Sequence, residues 1–387
     1  MNEFFPPARP AISKSEKTAF GVLSSYVMDT GMLTNSEYVI RFEQKFAEVQ
    51  KLSGDCAAVN SCSAGLLLIY QALGLEGKHV VVPTNTFFTT AAAALHAGAN
   101  VSFADCDPDT FCVSLETIKE ACTEETRAVV IVHIGGVIPP DMEAIAHFCN
   151  DHNIYLIEDC AHAHGCSLNG RAAGDFGYAS AFSFYPTKIL TTGEGGIVHS
   201  MDTDFLCKVR ALRDHGKADT TTNLHTMLGF NWRMSEFAAI LGYSQCSRLG
   251  EFVDKRSDVA SIYYELLESN GLNGSLKYPV FQKNGLISSF YKYVFKVNLS
   301  QEDKTLLKTR LREEFNICLS GNVYDTPLHE QPVFVDRFGE SVLPSECPVA
   351  EDICRNHVCL PIYSDMTSGQ AFVIADTFVK VLKDIEG

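Results

Sequence analysis

The sequence predicts an α/β fold, with a mainly parallel sheet flanked by helices in a large domain and a smaller α/β domain after it. Three observations carry this. Strand-like and helix-like runs alternate from about residue 40 to 200, the rhythm of a parallel sheet covered on both faces. Runs 128–133 and 155–159 are apolar along most of their length, as strands buried on both faces must be. After about residue 250 helical patterns dominate, with only short strand-like runs between them.

In order, residues 38–49 carry helical apolar spacing at Phe42, Phe46 and Val49. Residues 64–75 form an apolar helix, 79–83 a short strand, and 89–97 a small-residue helix closed by Gly98, a good C-cap. Strands follow at 101–104 and 128–133, a helix at 141–151, and strands at 155–159, 180–184 and 196–199. Helices at 251–270, 302–315 and 368–385 then enclose strands at 293–297 and 317–319. This divides the chain into a large domain over 1–250 and a smaller C-terminal one over 251–387, with the first roughly 15 residues expected to pack on the latter.

At 387 residues the chain can bury a large core. No stretch reaches the roughly 20 apolar residues of a membrane span, and the start, Met1-Asn2-Glu3-Phe4, lacks the marks of a signal peptide. The expected location is the cytoplasm. The net charge of −16 argues against nucleic acid and anionic membranes as partners, though a local basic pocket can still hold an anionic substrate. The 14 cysteines are scattered without a C-x-x-C pair, so neither a metal site nor a redox dithiol is expected.

Three places carry chemistry. Lys188 follows the apolar run 179–184 and Pro186, which cannot continue a strand ladder. A glycine-rich return, Thr192-Gly193-Glu194-Gly195-Gly196, comes after it. Ser61-Cys62-Ser63 opens the helix at 64–75, and a helix start with small polar residues suits a phosphate as well as a simple cap. Asp159 ends the strand 155–159, at the carboxyl end where open α/β sheets place ligands. A helix start for phosphate, a carboxylate for a ring nitrogen and a lysine for a Schiff base are the handles that pyridoxal 5'-phosphate requires.

These runs, together with Pro83-Thr84-Asn85-Thr86-Phe87, Glu158-Asp159-Cys160-Ala161-His162, Arg213-Asp214-His215-Gly216 and 229–235, resemble the DegT/DnrJ/EryC1/StrS family of sugar aminotransferases. The resemblance covers residue 34 to the C-terminus. It implies the type I fold of aspartate aminotransferase, a pyridoxal 5'-phosphate cofactor with pyridoxamine 5'-phosphate as its intermediate form, and a homodimer with a shared active site. It implies Lys188 and Asp159 as catalytic residues. Cys62, Ser63 and Ser183 would hold the phosphate, joined by Asn231 from the other subunit. Phe87 and Ala161 would flank the ring, and His162 would stand near its hydroxyl. His215 and His329 could meet substrate or serve packing.

The implied reaction moves the amino group of L-glutamate to a keto sugar, a nucleotide-linked 3- or 4-keto-6-deoxy sugar. An aminotransferase on a cyclitol or other non-nucleotide ketone would share this core. A dehydratase branch of the family has histidine in place of Lys188, so the intact lysine argues against it. The phosphate run reads Ser-Cys-Ser where the family usually has Ser-Gly-Thr, and Trp232 replaces the commoner tyrosine. Sugar choice is expected to rest on the loops 217–228 and 320–345.

Overall fold

The computed structural model describes residues 3–217, 219, 222–272, 276–277 (backbone only), 285–338 and 347–386. Two helices lead, α1 (Lys14–Thr30) and α2 (Glu37–Gln50). The strands and helices that build the main sheet follow: β1 (Asp55–Val59), α3 (Cys62–Ala72), β2 (His79–Pro83), α4 (Phe88–His96), β3 (Asn100–Ala104), α5 (Leu115–Ala121), β4 (Thr126–Val132), α6 (Met142–Asp151) and β5 (Tyr155–Asp159). The hairpin β6 (Ser167–Leu168) and β7 (Arg171–Ala172) precedes β8 (Ala179–Ser183), β9 (Gly196–Ser200), α7 (Thr203–Arg213), α8 (Glu236–Cys246) and α9 (Leu249–Ser269). The remainder is β10 (Leu276–Lys277), β11 (Leu286–Ile287), β12 (Tyr293–Val297), α10 (Gln301–Phe315), α11 (Pro332–Phe338), α12 (Pro348–Asn356), β13 (His357–Leu360) and α13 (Ser368–Glu386).

The seven-stranded sheet runs β1-β9-β8-β5-β4-β2-β3. The pairs β2/β3, β2/β4, β4/β5 and β5/β8 are parallel, while β9 is antiparallel to both β8 and β1. Alternate residues of each central strand enter opposite cores. Val129 and Ile131 join one with α2 and α6, and Ala128 and Val130 join the other with α3 and α4. Both faces are therefore covered, which is what the unbroken apolar runs require. A second sheet, β10-β12-β13, lies in the C-terminal part, and β11 pairs with β6.

Buried charges fasten the entry to the sheet. Glu236 accepts from the amides of Ser36 and Tyr38, both at 2.7 Å, and so satisfies the start of α2. Arg213 is buried against Glu43 at 2.7 Å, and Glu43 also accepts the Ala58 amide of β1. Beside Glu43 on α2, Phe42 and Phe46 meet Phe184 edge-on at 5.0 and 5.2 Å. The long run 38–49 thus forms a helix because its apolar stripe has the base of the Lys188 turn to pack on.

One expected strand does not form. In 317–319 only Ile317 makes a bridge, with Phe5. Asn316 before it closes α10 in the left-handed conformation, so the chain is still turning where a strand would have to begin. The same contact brings the N-terminal segment to the C-terminal part, where Arg9 pairs with Asp365 at 2.9 Å. Among the described residues no helix is long and apolar enough to cross a membrane. All 14 cysteines are free thiols.

Candidate active site

Asp159 and Lys188 come from neighbouring strands. Asp159 ends β5 and pairs in register with Ala181 of β8. After β8 the chain turns at Pro186, and the Lys188 amide closes the turn on the Tyr185 carbonyl at 2.9 Å. The return is pinned to the same strand end. Phe184 N–H donates to Gly195 O at 3.0 Å, and its carbonyl accepts from the Thr192 amide and the Thr191 hydroxyl. A long, mobile side chain thus stands on a fixed backbone. It projects into a cavity of about 430 Å³ at the carboxyl end of the parallel strands.

Cys62, Ser63, Phe87, Asp159, Ala161, His162, Ser183 and Lys188 all line this cavity. At one end lies the start of α3, where Ser61 caps the helix by accepting the Ala64 amide at 3.1 Å. Glycine at 196 is what lets β9 come so close. A Cβ there would lie 2.5 Å from Ser61 C and 2.6 Å from Cys62 N. That close approach leaves a cradle of backbone and hydroxyl groups on a helix N-terminus, which suits a phosphate. Burial, with the nearby Asp159 charge, pushes the Cys62 thiol well above its ordinary range. Cys62 therefore serves as a small apolar group rather than a nucleophile.

At the other end Asp159 is buried. It accepts from Thr90 Oγ1 at 2.9 Å and from the Ala161 amide at 3.1 Å. Burial raises its pKa, and these bonds and Lys188 only partly offset that. A cationic ring N–H against the carboxylate would relieve exactly the cost that burial imposes. His162 is also buried, stacked on Tyr291 at 4.1 Å between centroids, and among the described residues its Nδ1 has no partner. Burial, then Lys188 and Lys292, hold the imidazole neutral, well below its usual range. A neutral ring with an open nitrogen suits a hydroxyl-bearing neighbour. Phe87, at the start of α4, is 56% exposed on the cavity side, and Ala161 lies half-buried in its wall. The residues fit a flat, phosphorylated pyridine aldehyde.

Three further residues lie outside the lining of this cavity: Asn231, expected at the other subunit's site, and His215 and His329, whose roles the sequence leaves open. Asn231 is exposed and bridges to Asp214, outside the cavity lining. His215 is exposed, at a positive φ of 57°, with its amide on Phe230 O. His329 is buried between Thr84 Oγ1 at 2.7 Å and Glu351 at 3.3 Å. Arg213, in the same motif as His215, is committed to Glu43. His133 is buried against Glu158 at 2.9 Å, and His164 packs among Phe46, Phe182 and Phe184, its pKa driven down to about 3 by burial.

The sequence reading missed the far wall. Tyr291, Lys292 and Tyr324 line the cavity from the C-terminal part, together with Glu194 from the glycine-rich return. Tyr291 Oη accepts from Lys188 Nζ at 3.4 Å and meets Thr187 Oγ1 at 3.1 Å. Burial would raise this phenol, but Lys188, Lys292 and the two hydrogen bonds outweigh it and leave it below its ordinary value. Thr90, on α4, was missed as the hydroxyl that holds Asp159.

The model of the DegT/DnrJ/EryC1/StrS aminotransferase family matches residues 16–379. This chain belongs to that family. The GDP-perosamine synthase of Escherichia coli O157:H7 is 27% identical to it over 99% of this chain and 100% of the relative. The UDP-N-acetyl-3-dehydro-alpha-D-glucosamine 3-aminotransferase of Acidithiobacillus ferrooxidans is 33% identical over 87% of each. A Streptococcus pneumoniae protein solved in PLP and PMP forms shares the fold at 22% identity, with TM-scores of 0.87 and 0.88, covering 100% of this chain and 100% and 99% of those chains.

Proposed function

We propose that this pyridoxal-phosphate-dependent aminotransferase transfers the amino group of L-glutamate to a nucleotide-linked keto sugar. The observation that carries the reading is the convergence of Asp159, Lys188 and the start of α3 on one cavity, in a chain of an aminotransferase family. The relatives' names supply the substrate class: a GDP sugar in one and a UDP-linked 3-keto sugar in the other.

Ser63, Ser183 and the first amides of α3 would bind the phosphate. Asp159 would hold a proton on the ring nitrogen, and Lys188 would anchor the aldehyde carbon. When bound, the cofactor carries the amino group between substrates and takes up the electron pair released at the reacting carbon. Lys188 Nζ, once free of its anchor, would take the α-proton of the donor and deliver it on the same face. Tyr291 Oη would hold that amine in line between moves. Phe87 and Tyr324, 6.1 Å apart, would shield the site from water.

The same reading takes the active unit as a homodimer. Leu228 is 96% exposed and Leu224 66%, beside the exposed Asn231, as a segment covered by a partner would leave them. Asn231 would then reach the partner's phosphate site. Residues 1–250 would form the cofactor domain and 251–387 the smaller one, which carries its own three-stranded sheet. A cytoplasmic setting agrees with the free thiols. Residues 218, 220–221 and 339–346, in the expected sugar-choosing loops, lie outside the described residues.

Borohydride reduction of the holoenzyme should fix the cofactor on Lys188, read by peptide mass. A label on another lysine would overturn the assignment. The glutamate-loaded enzyme should then aminate a nucleotide-linked keto sugar. Turnover only of a cyclitol ketone would move the reading to that substrate class.

A further inference from the structure

We propose that Lys292 is the anchor for a carboxylate of the amino donor. This rests on the reading that the donor is L-glutamate. Among the described residues lining the cavity, the two with cationic side chains are Lys188 and Lys292. Lys188 is committed to the cofactor and to proton movement. An amino-acid donor brings carboxylate charge into this site, and a carboxylate left there without a cation would be costly.

Lys292 has the complementary need. Its side chain is only 8% exposed, and among the described residues its ammonium donates to a neutral group, the Ser320 hydroxyl. An ammonium has three protons to donate. A buried charge with a hydroxyl partner has its hydration stripped and no counter-charge returned, which an incoming carboxylate would correct. Nothing in the fold asks for a charge here: the next residues, Tyr293, Val294 and Phe295, are buried and apolar.

The position is also built rather than incidental. The Lys292 amide donates to Gly135 O at 3.2 Å. Arg256 of α9 is buried and donates to the carbonyls of Phe290 at 3.1 Å and Tyr291 at 3.0 Å. The Ser320 amide is fixed on Cys359 O of β13 at 2.9 Å. Both ammonium groups face the same phenol ring, Lys188 Nζ at 4.5 Å from its centroid and Lys292 Nζ at 5.4 Å. A donor whose nitrogen reacts beside Lys188 therefore meets Lys292 across the shared Tyr291 ring.

The test uses holoenzyme of wild type, Lys292→Met and Lys292→Arg, with L-glutamate and the accepted keto sugar. Cofactor capture and borohydride labelling of Lys188 are checked first. In Lys292→Met the KM for glutamate should rise about 30- to 100-fold, as expected for loss of a charge-assisted bond. Its kcat should fall less than about threefold and the sugar KM should stay within about twofold. Lys292→Arg should keep glutamate KM within about fivefold of wild type. L-Glutamine and 4-aminobutyrate separate the two carboxylates, because the donor lacking the anchored one should be indifferent to Lys292→Met. An unchanged glutamate KM, a rise confined to the keto sugar, or equal losses in the Met and Arg variants would overturn the assignment. Wild-type enzyme that shows no spectral response to glutamate would instead overturn the proposed function.

Discussion

The floor and the far wall of the cavity are built in opposite ways. The floor, Asp159 and Lys188 on β5 and β8, stands on adjacent parallel strands buried in a seven-stranded sheet. The wall, Tyr291, Lys292 and Tyr324, comes from loops of the C-terminal part held by two hydrogen bonds from Arg256 and by the Val323 amide donating to His357. On the proposed reading, the floor carries the groups that any transamination needs. On the same reading, the wall carries groups that can differ with the substrate while the sheet stays the same. Rigid sheet for the chemistry and adjustable loops for recognition is a division the fold makes easy.

The harshest way to test that contrast is at the floor. Lys188→Ala should lower kcat by about 10⁴-fold or more while cofactor still binds, followed by absorbance titration. Turnover near wild type would break the distinction altogether. A pH experiment tests the wall. His357 accepts the Val323 amide at 2.9 Å through Nε2 and donates to Ile353 O at 2.7 Å through Nδ1. Burial lowers its pKa from 6.5 to about 4. The unfolded chain therefore binds a proton below 6.5 that the folded protein refuses until about 4, so stability is present above 6.5 and is lost as pH falls through that window. The loss is on the order of 3 kcal/mol. Denaturant midpoints of His357→Gln across this range should show a slope shallower by one proton than wild type.

Tyr291→Phe should cost less, about 10- to 30-fold in kcat with cofactor affinity unchanged, since the phenol positions the amine without bonding to substrate. The basic-side inflection contributed by this lowered phenol should vanish from the kcat/KM profile. The smallest effect is expected at Asn231. Asn231→Ala should weaken cofactor binding about tenfold. Mixed dimers of Asn231 and Lys188 variants should regain part of wild-type activity. No recovery despite proven subunit exchange would rule out a shared site.

The same contrast explains what could be read from the sequence. Asp159, Lys188 and the 61–63 run each sit at the end of a contiguous apolar element, so local pattern marks both the residue and its place. Tyr291 and Lys292 sit in Phe290-Tyr291-Lys292-Tyr293, which reads simply as the entry to a strand. Only the pairing of β12 with β13 and the reach of Arg256 from α9 turn that entry toward Lys188, and neither is a local property. β1 escaped because Asp55-Cys56-Ala57-Ala58 has little β propensity; burial between α2 and α7 makes it a strand. α1 was readable in principle, since Ser13 and Glu16 form a capping box. His329 is a different case: its motif was visible, but its choice between substrate and packing rests on partners, Thr84 and Glu351, that lie 245 and 22 residues away in sequence.

Arg256 gives the long helix α9 a mechanical meaning. One end of its reach is the backbone of Tyr291. One turn earlier on the same face, Val253 packs so tightly on Gly165 that a Cβ there would lie 2.6 Å from its methyl group. Gly165 follows His162 by a single short turn, so one turn of α9 backs both the floor and the wall. It works as a caliper whose jaws are set by one arginine and one glycine. The width of the gap in which the substrate must fit is therefore written outside the cavity, in residues that no substrate ever touches.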